Sequence, residues 1–227
     1  MPASRSKVPK TTRQSLIETE SDVTAGIKAL RRKCAIIRRL HDATGAPPLR
    51  RRQAGFEGLA RIIVGQQLSV ASAAAIWGRT FELVQPFEPV ALLATPEADL
   101  RAAGLSRGKV KTLTAMAREV AEAGLDLERL DHHGDEAVHE ALTRISGVGP
   151  WTADIFLMFC LGRADGFAPG DLALQVAAQM AMDLDERPSA KELAEIAERW
   201  RPWRSVAARL LWAYYKVAKD AKSGVPV

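Results

Sequence analysis

Residues 142–176 read LTRISGVGPWTADIFLMFCLGRADGFAPGDLALQV. The stretch closes one apolar helical pattern at Ile145 and turns through Ser146-Gly147-Val148-Gly149-Pro150. A second apolar run then goes from Trp151 to Leu161. Two glycines around one small apolar residue allow a tight hairpin with outward-facing backbone N–H groups. Pro150 suits the first helical position, where its missing N–H costs nothing. Amides aimed outward at a helix N-terminus form an anion site, and phosphate is the obvious anion. Farther on, Pro169-Gly170 breaks the chain. Asp171 then stands where an N-cap belongs, ahead of Leu172, Val176 and Met180. Taken singly, the turn reads as a plain helix–helix connection and the Asp as a plain cap. The hairpin, the aromatic directly after it and the capping Asp downstream together point to a site.

Working outward, the chain reads as helices throughout. Ser21 is a plausible N-cap, and Val23, Ile27, Leu30, Cys34, Ile37 and Leu40 follow at steps of three and four. They predict one amphipathic helix ending near Gly45. Pro47-Pro48 and Arg50-Arg51-Arg52 form a break, and a second helix spans Gly55 to Val64. It leads into Gln66-Gln67, and a third helix covers Val70 to Val84. Thr95-Pro96-Glu97 is a start signal, Ser106 caps a helix over Lys109–Ala123, and Asp135 opens the helix leading to the hairpin. After Asp171 a helix runs to about Met182. Ser189-Ala190-Lys191-Glu192 fits a capping box, and Pro202 starts a last long helix. No strand alternation and no long repeat is seen. The expectation is an all-α fold of roughly ten to twelve short helices.

Bulk properties bound the partner. The 227 residues carry a net charge of +5 with a pI near 9.4. Residues 1–52 hold 13 Lys and Arg against 4 Asp and Glu, a net of +9, which leaves −4 for the remainder. Such a balance favours a polyanionic partner. Residues 1–20 read as a flexible basic tail. Cys34 and Cys160 lie in apolar helical patterns and read as reduced core residues of a cytosolic protein. No metal-ligand spacing, signal peptide or long apolar span occurs, so no metal, cofactor or membrane is expected.

The segments match a known pattern. Ile145-Ser146-Gly147-Val148-Gly149-Pro150-Trp151-Thr152-Ala153 resembles the signature of the helix-hairpin-helix DNA glycosylase superfamily, and Asp171 falls where that family keeps its catalytic aspartate. Three further segments resemble its 3-methyladenine DNA glycosylase II branch. They are Ile62–Val70 (IIVGQQLSV), Leu105–Val110 (LSRGKV) and Ala197–Ser205 (AERWRPWRS). The resemblance covers residues 50 to 215, approximately.

It implies two helical lobes with the hairpin at the cleft between them. Residues 55–163 would form the contiguous lobe, and 21–54 would join 164–227 in the other. It implies Trp151, Trp212, Ile155 and Leu172 as the base pocket and Gln67 as the wedge that fills the hole left by a flipped base. The Gln66-Gln67 pair reads equally as a helix C-terminal turn. Gly147, Val148 and Gly149, with Ser106 and Lys109, are expected on DNA phosphates. Bifunctional relatives place a lysine nucleophile where this chain has Trp151, so a monofunctional enzyme leaving an abasic site is implied. The four-cysteine cluster loop of some relatives is absent, so no iron–sulfur cluster is expected.

The chemistry agrees with the residues. Breaking an N-glycosidic bond develops positive charge on the sugar, which a fixed carboxylate stabilises. Alkylated purines such as 3-methyladenine are already cationic and leave without a strong general acid. Electron-rich indole faces suit a flipped cationic base. The expected partner is double-stranded DNA containing damaged bases, met by a monomer in the bacterial cytosol or nucleoid. Two alternatives stay open at this point: a glycosylase for another damaged base, and a non-catalytic helix-hairpin-helix DNA-binding module.

Overall fold

Steps of three and four between apolar residues turn nearly the whole chain into helix. The computed structural model describes residues 15–223. Its helices are α1 (Glu20–Lys33), α2 (Ala35–Thr44), α3 (Gly55–Gly65), α4 (Val70–Leu83), α5 (Pro89–Ala94) and α6 (Glu97–Ala102), followed by α7 (Arg107–Ala121), α8 (Asp135–Thr143), α9 (Pro150–Phe159), α10 (Leu172–Met182), α11 (Ala190–Ala197) and α12 (Arg204–Ser223). Two 3₁₀ turns, Leu127–His132 and Glu198–Trp200, complete the set. Among the described residues there is no strand; Leu16 and Arg163 form an isolated antiparallel bridge. No described helix is long and apolar enough to cross a membrane.

The structure corrects three local readings. The single helix expected from Ser21 to Gly45 is two, because Cys34 adopts an extended conformation with φ −137° and ψ 113°. The apolar period stays in phase across this one-residue break, so the pattern does not reveal it. One helix of that length would extend about 37 Å. The break instead lets α1 and α2 both pack on α12. The guanidinium of Arg31 donates to the Arg38 carbonyl and that of Arg38 donates to the Arg31 carbonyl, which ties the break shut. The N-cap is Thr19 rather than Ser21, in a capping box where Asp22 returns the bond to the Thr19 backbone. Pro202 does not start α12: it follows a cis peptide bond, and the helix begins at Arg204. The capping box at Ser189 and Glu192 forms as expected.

Residues 15–20 do not form the tail that their composition suggests. Residues 1–14 lie outside the described residues, whereas Ile17 is fully buried and its N–H donates to the Gly162 carbonyl at 2.7 Å. The buried Ile17 is a core residue that the surrounding polar composition hides.

Helix contacts fall into two groups. α12 packs on α1, α2 and α10, and α10 also touches α2 and α11. α3 packs on α4, α7, α9 and the 127–132 turn, while α5 and α6 lie on α7 and α8 lies on α9. The C-terminal end of α9 is gripped by arginines from outside both neighbours in sequence. Arg51 donates to the Cys160 carbonyl at 2.8 Å, and Arg209 donates to the Met158 carbonyl at 3.3 Å. Cations here complement the negative end of the helix dipole. Burial pulls the Arg209 guanidinium down to about 10, with Arg51 and Arg50 adding to the effect. Cys34 and Cys160 are buried thiols; burial pushes Cys160 up to about 12.

Candidate active site

Hairpin geometry follows from its glycines unequally. Gly147 has φ +89°, and a Cβ there would meet the Thr112 hydroxyl at 2.0 Å. It must be glycine, both for conformation and because α7 abuts the turn. Gly149 has φ −96°, and a Cβ there would meet nothing within 4 Å. The conformational need therefore rests on Gly147 alone, which corrects the equal roles expected for the two.

The amides divide in the same way. Val148 donates its N–H to the Ile145 carbonyl at 3.0 Å and is itself 5% exposed, so it anchors the turn. Its expected amide contact to phosphate is therefore unavailable in this conformation. The amides of Ser146, Gly147 and Gly149 make no hydrogen bond among the described residues. They lie at the N-terminus of α9, where an anion is favoured.

A prediction follows from this division. Gly147→Ala should cost roughly 2 kcal/mol or more of stability, from a forced left-handed alanine plus the Thr112 clash. Gly149→Ala should hold stability to within about 1 kcal/mol and weaken binding to unrelated duplexes alike. Thermal unfolding and duplex titration check both. Wild-type affinity in Gly149→Ala would remove that amide from the interface.

Asp171 is the N-cap of α10, and its carboxylate is surrounded by donors. Oδ1 accepts the Leu174 N–H at 3.0 Å and the Trp212 indole N–H at 3.0 Å. Oδ2 accepts the Trp151 indole N–H at 2.8 Å. The three residues come from α9, α10 and α12, and the carboxylate is partly exposed. Gln175 donates to the Pro169 carbonyl at 2.9 Å and holds the Pro-Gly turn that delivers Asp171. A carboxylate offers about four acceptor sites. Three are occupied, so one position on Oδ2 is unused.

Of the expected pocket residues, Trp151 and Trp212 meet at Asp171. Ile155 is buried at 6% exposure, and Leu172, at 57%, projects from the start of α10. Trp212 packs against Phe159 with centroids 5.7 Å apart, and Arg209 lies over the Phe159 ring at 4.7 Å. The cavity beside Trp212, walled by Pro47, Pro48, Arg50 and Phe159, holds about 30 Å³. The other tryptophans are structural: Trp77 and Trp200 are buried, and Trp203 is partly buried against α1.

Gln67 sits in the α3–α4 turn with φ +55°, exposed to solvent. A left-handed non-glycine residue costs energy that the surroundings must hold in place. Two bonds fix the chain just before it. Gln66 donates to the Thr152 hydroxyl at 2.8 Å, and Lys109 donates to the Val64 carbonyl at 2.7 Å. Lys109 thus gives one N–H to the end of α3, and burial lowers its pKa. Ser106 caps α7 by accepting from the Lys109 N–H. Two N–H groups of the Lys109 ammonium and the O–H of Ser106 remain as donors that a phosphate could use.

The cations that do flank the hairpin are Arg107, Lys111 and Arg118, which share a groove with Ser146. Their spacing along one face of α7 is the sequence signal that identifies them. Asp154, one turn after Trp151, is a partly buried carboxyl pushed up to about 7 by desolvation, partly opposed by Arg204; His139 lies 3.7 Å away.

Comparison with known proteins places this arrangement. The profile described as HhH-GPD superfamily base excision DNA repair protein matches residues 60–202. A DNA-3-methyladenine glycosylase of Bacillus subtilis is 29% identical over 171 residues, covering 69% of this chain and 56% of the relative. A second Bacillus subtilis relative is 36% identical over 114 residues, or 40% of its length, so the chain spans about half the length of these two. DNA-3-methyladenine glycosylase 1 of Schizosaccharomyces pombe is 30% identical, with 74% of this chain and 75% of the relative covered. The structure of a Schizosaccharomyces pombe 3-methyladenine DNA glycosylase with abasic DNA superposes with a TM-score of 0.75 at 26% identity, covering 83% of this chain and 95% of that one. A Bacillus halodurans DNA-3-methyladenine glycosidase gives 0.73 at 30% identity, covering 94% and 96%. With its all-helical fold, its hairpin and its capping aspartate, the chain belongs to the HhH-GPD superfamily of base excision DNA repair proteins.

Proposed function

We propose that the chain is a monofunctional DNA glycosylase that removes alkylated bases of the 3-methyladenine type from double-stranded DNA and leaves an abasic site. The observation that carries this is the Asp171 carboxylate, held by two indole N–H groups and one backbone N–H with one acceptor position unused. The names of the relatives support the substrate class. Residues 55–163 and 21–54 with 164–227 form the two lobes of this reading, matching the two sets of helix contacts, with the hairpin and Asp171 at the cleft. Hairpin, carboxylate and both indoles come from one chain, which supports action as a monomer.

In this mechanism the hairpin amides of Ser146, Gly147 and Gly149 hold a backbone phosphate, and Arg107 and Lys111 add charge beside it. Gln67 enters the stack where the flipped nucleotide was. The indole faces of Trp151 and Trp212 bracket the cationic base while their N–H edges hold Asp171. The C1′–N bond breaks, and its electron pair neutralises the departing base. Asp171 stabilises the positive sugar, and its free acceptor position orients the water whose oxygen bonds to C1′. That water keeps one hydrogen in the new C1′ hydroxyl and releases the other as a proton to solvent. No lysine stands at Trp151, so no Schiff base forms and the strand stays intact.

The test is chromatography of bases released from methylated duplex DNA. Release of 3-methyladenine, strand breaks only after alkali and no borohydride-trapped protein–DNA adduct are expected. Duplex binding without base release would establish the non-catalytic alternative.

A further inference from the structure

The α1–α2 pair carries a basic groove that the site described above does not use. Its volume is about 450 Å³, its floor includes the buried Ile27, and Lys28, Arg31, Arg32, Arg38 and the exposed Ala46 line it. Arg31 is spoken for: it pairs with Asp42 at 2.5 Å and bonds His41 at 2.9 Å. Lys28, Arg32 and Arg38 are exposed, and no ion pair joins any of them to an acid among the described residues; Arg38 gives one N–H to the Arg31 carbonyl within the groove and keeps its other N–H groups for a ligand there. The other cations of these helices face elsewhere, Lys33 on the Arg201 carbonyl and Arg39 on the Ala181 carbonyl.

The groove is next to the active site. Ala46 lines it, and the following Pro47 and Pro48 wall the small cavity that contains Trp212. Three residues span at most about 10 Å. Arg50 lines the same cavity and is exposed, held at φ +52°. A line of cations thus runs from Lys28, Arg32 and Arg38 past Pro48 to Arg50, and Arg50 stands beside the indole that holds Asp171. The apolar floor matches sugar edges and the rim matches phosphates.

We infer that this groove is a second phosphate track, which grips duplex DNA flanking the lesion on the side of Trp212, independently of the hairpin. The inference rests on duplex DNA being the substrate, and its test separates the two. The full chain carrying K28Q, R32Q and R38Q is titrated with undamaged duplex at several salt concentrations. Each phosphate contact contributes about 0.9 to the slope of log affinity against log salt. Three lost contacts therefore lower the slope by roughly 2.7, and the advantage of wild type over the variant shrinks roughly 40-fold between about 50 and 200 mM salt.

A control removes equal charge at Arg187, Lys191 and Arg199, which lie near Glu186, Glu192 and Glu195 around α11. The control should move the slope by less than one contact. Single-turnover excision at saturating DNA should match wild type in both variants. Shortening the duplex from one end only should erase the difference between wild type and the groove variant. An unchanged slope in the groove variant, or an equal fall in the control, overturns the inference. Absence of duplex binding by wild type would instead overturn the proposed function.

Discussion

Asp171→Asn should lower single-turnover base excision by about 1,000-fold or more, while binding to lesion-containing duplex persists or tightens. Electrostatic groups facing a developing charge supply effects of about this size. Asparagine is as good an N-cap as aspartate, so Leu174 and α10 keep their anchor. What changes is the charge and one donor pairing. An amide can present its oxygen to Leu174 and Trp212, but its NH₂ group then meets the Trp151 N–H, donor against donor. That lost bond costs roughly 1.5–3 kcal/mol, less than the catalytic loss and visible as a fall in melting temperature. A quench assay with the excised base measured directly separates the two. Turnover near that of wild type would remove Asp171 from the chemistry altogether.

The second large effect is at the two indoles, and it divides by substitution. Trp151→Phe and Trp212→Phe keep an aromatic face and remove one N–H from the Asp171 carboxylate. Hydrogen bonds to charged groups are worth roughly 1.5–3 kcal/mol, so each change should slow the chemical step by roughly 10- to 100-fold. Binding to undamaged duplex should not change. The alanine variants also lose the face. A cation over an indole gains roughly 0.5–2 kcal/mol, so Trp151→Ala and Trp212→Ala should further lose preference for cationic 3-methyladenine over neutral hypoxanthine. Rates must first be divided by the uncatalysed rates, since alkylated bases also leave unaided. Phenylalanine variants as fast as wild type would show that the N–H contacts do not serve catalysis. Equal acceleration of hypoxanthine and 3-methyladenine by wild type would show that the site reads shape rather than charge, with exposed Leu172 as the residue to change next.

Much of this site is legible in the chain itself because its parts are local. A turn that demands a left-handed residue selects Gly147, a helix entered without an N–H accepts Pro150, and a helix begun by a side-chain acceptor selects Asp171. Each requirement is met within a few residues, so spacing along the sequence reveals it. The same holds for the capping boxes and for most helix bodies.

Other features depend on elements distant in sequence, and there the sequence is silent. The break at Cys34 leaves the apolar period intact and is set by packing on α12. Lys109 reads as a phosphate ligand alone, but α3 ends within its reach and one of its N–H groups also goes to the Val64 carbonyl. Val148 looks like part of an open amide nest, yet its N–H closes the turn. Ile17, in a polar stretch, is drawn into the core by the strand-like contact with Gly162 and Arg163.

The sequence by itself thus determined the all-helical class, the hairpin and the carboxylate at a helix N-terminus, since these follow from backbone conformation and short-range hydrogen bonding. Only the tertiary structure decided that Trp151 and Trp212 both turn their N–H edges onto Asp171, that Arg107 and Lys111 share a groove with Ser146 of the hairpin, and that Lys109 also ties down the end of α3. Indole edges and ammonium groups follow the nearest unsatisfied acceptor, and which acceptor is nearest is settled only when α3, α7, α9, α10 and α12 are packed together.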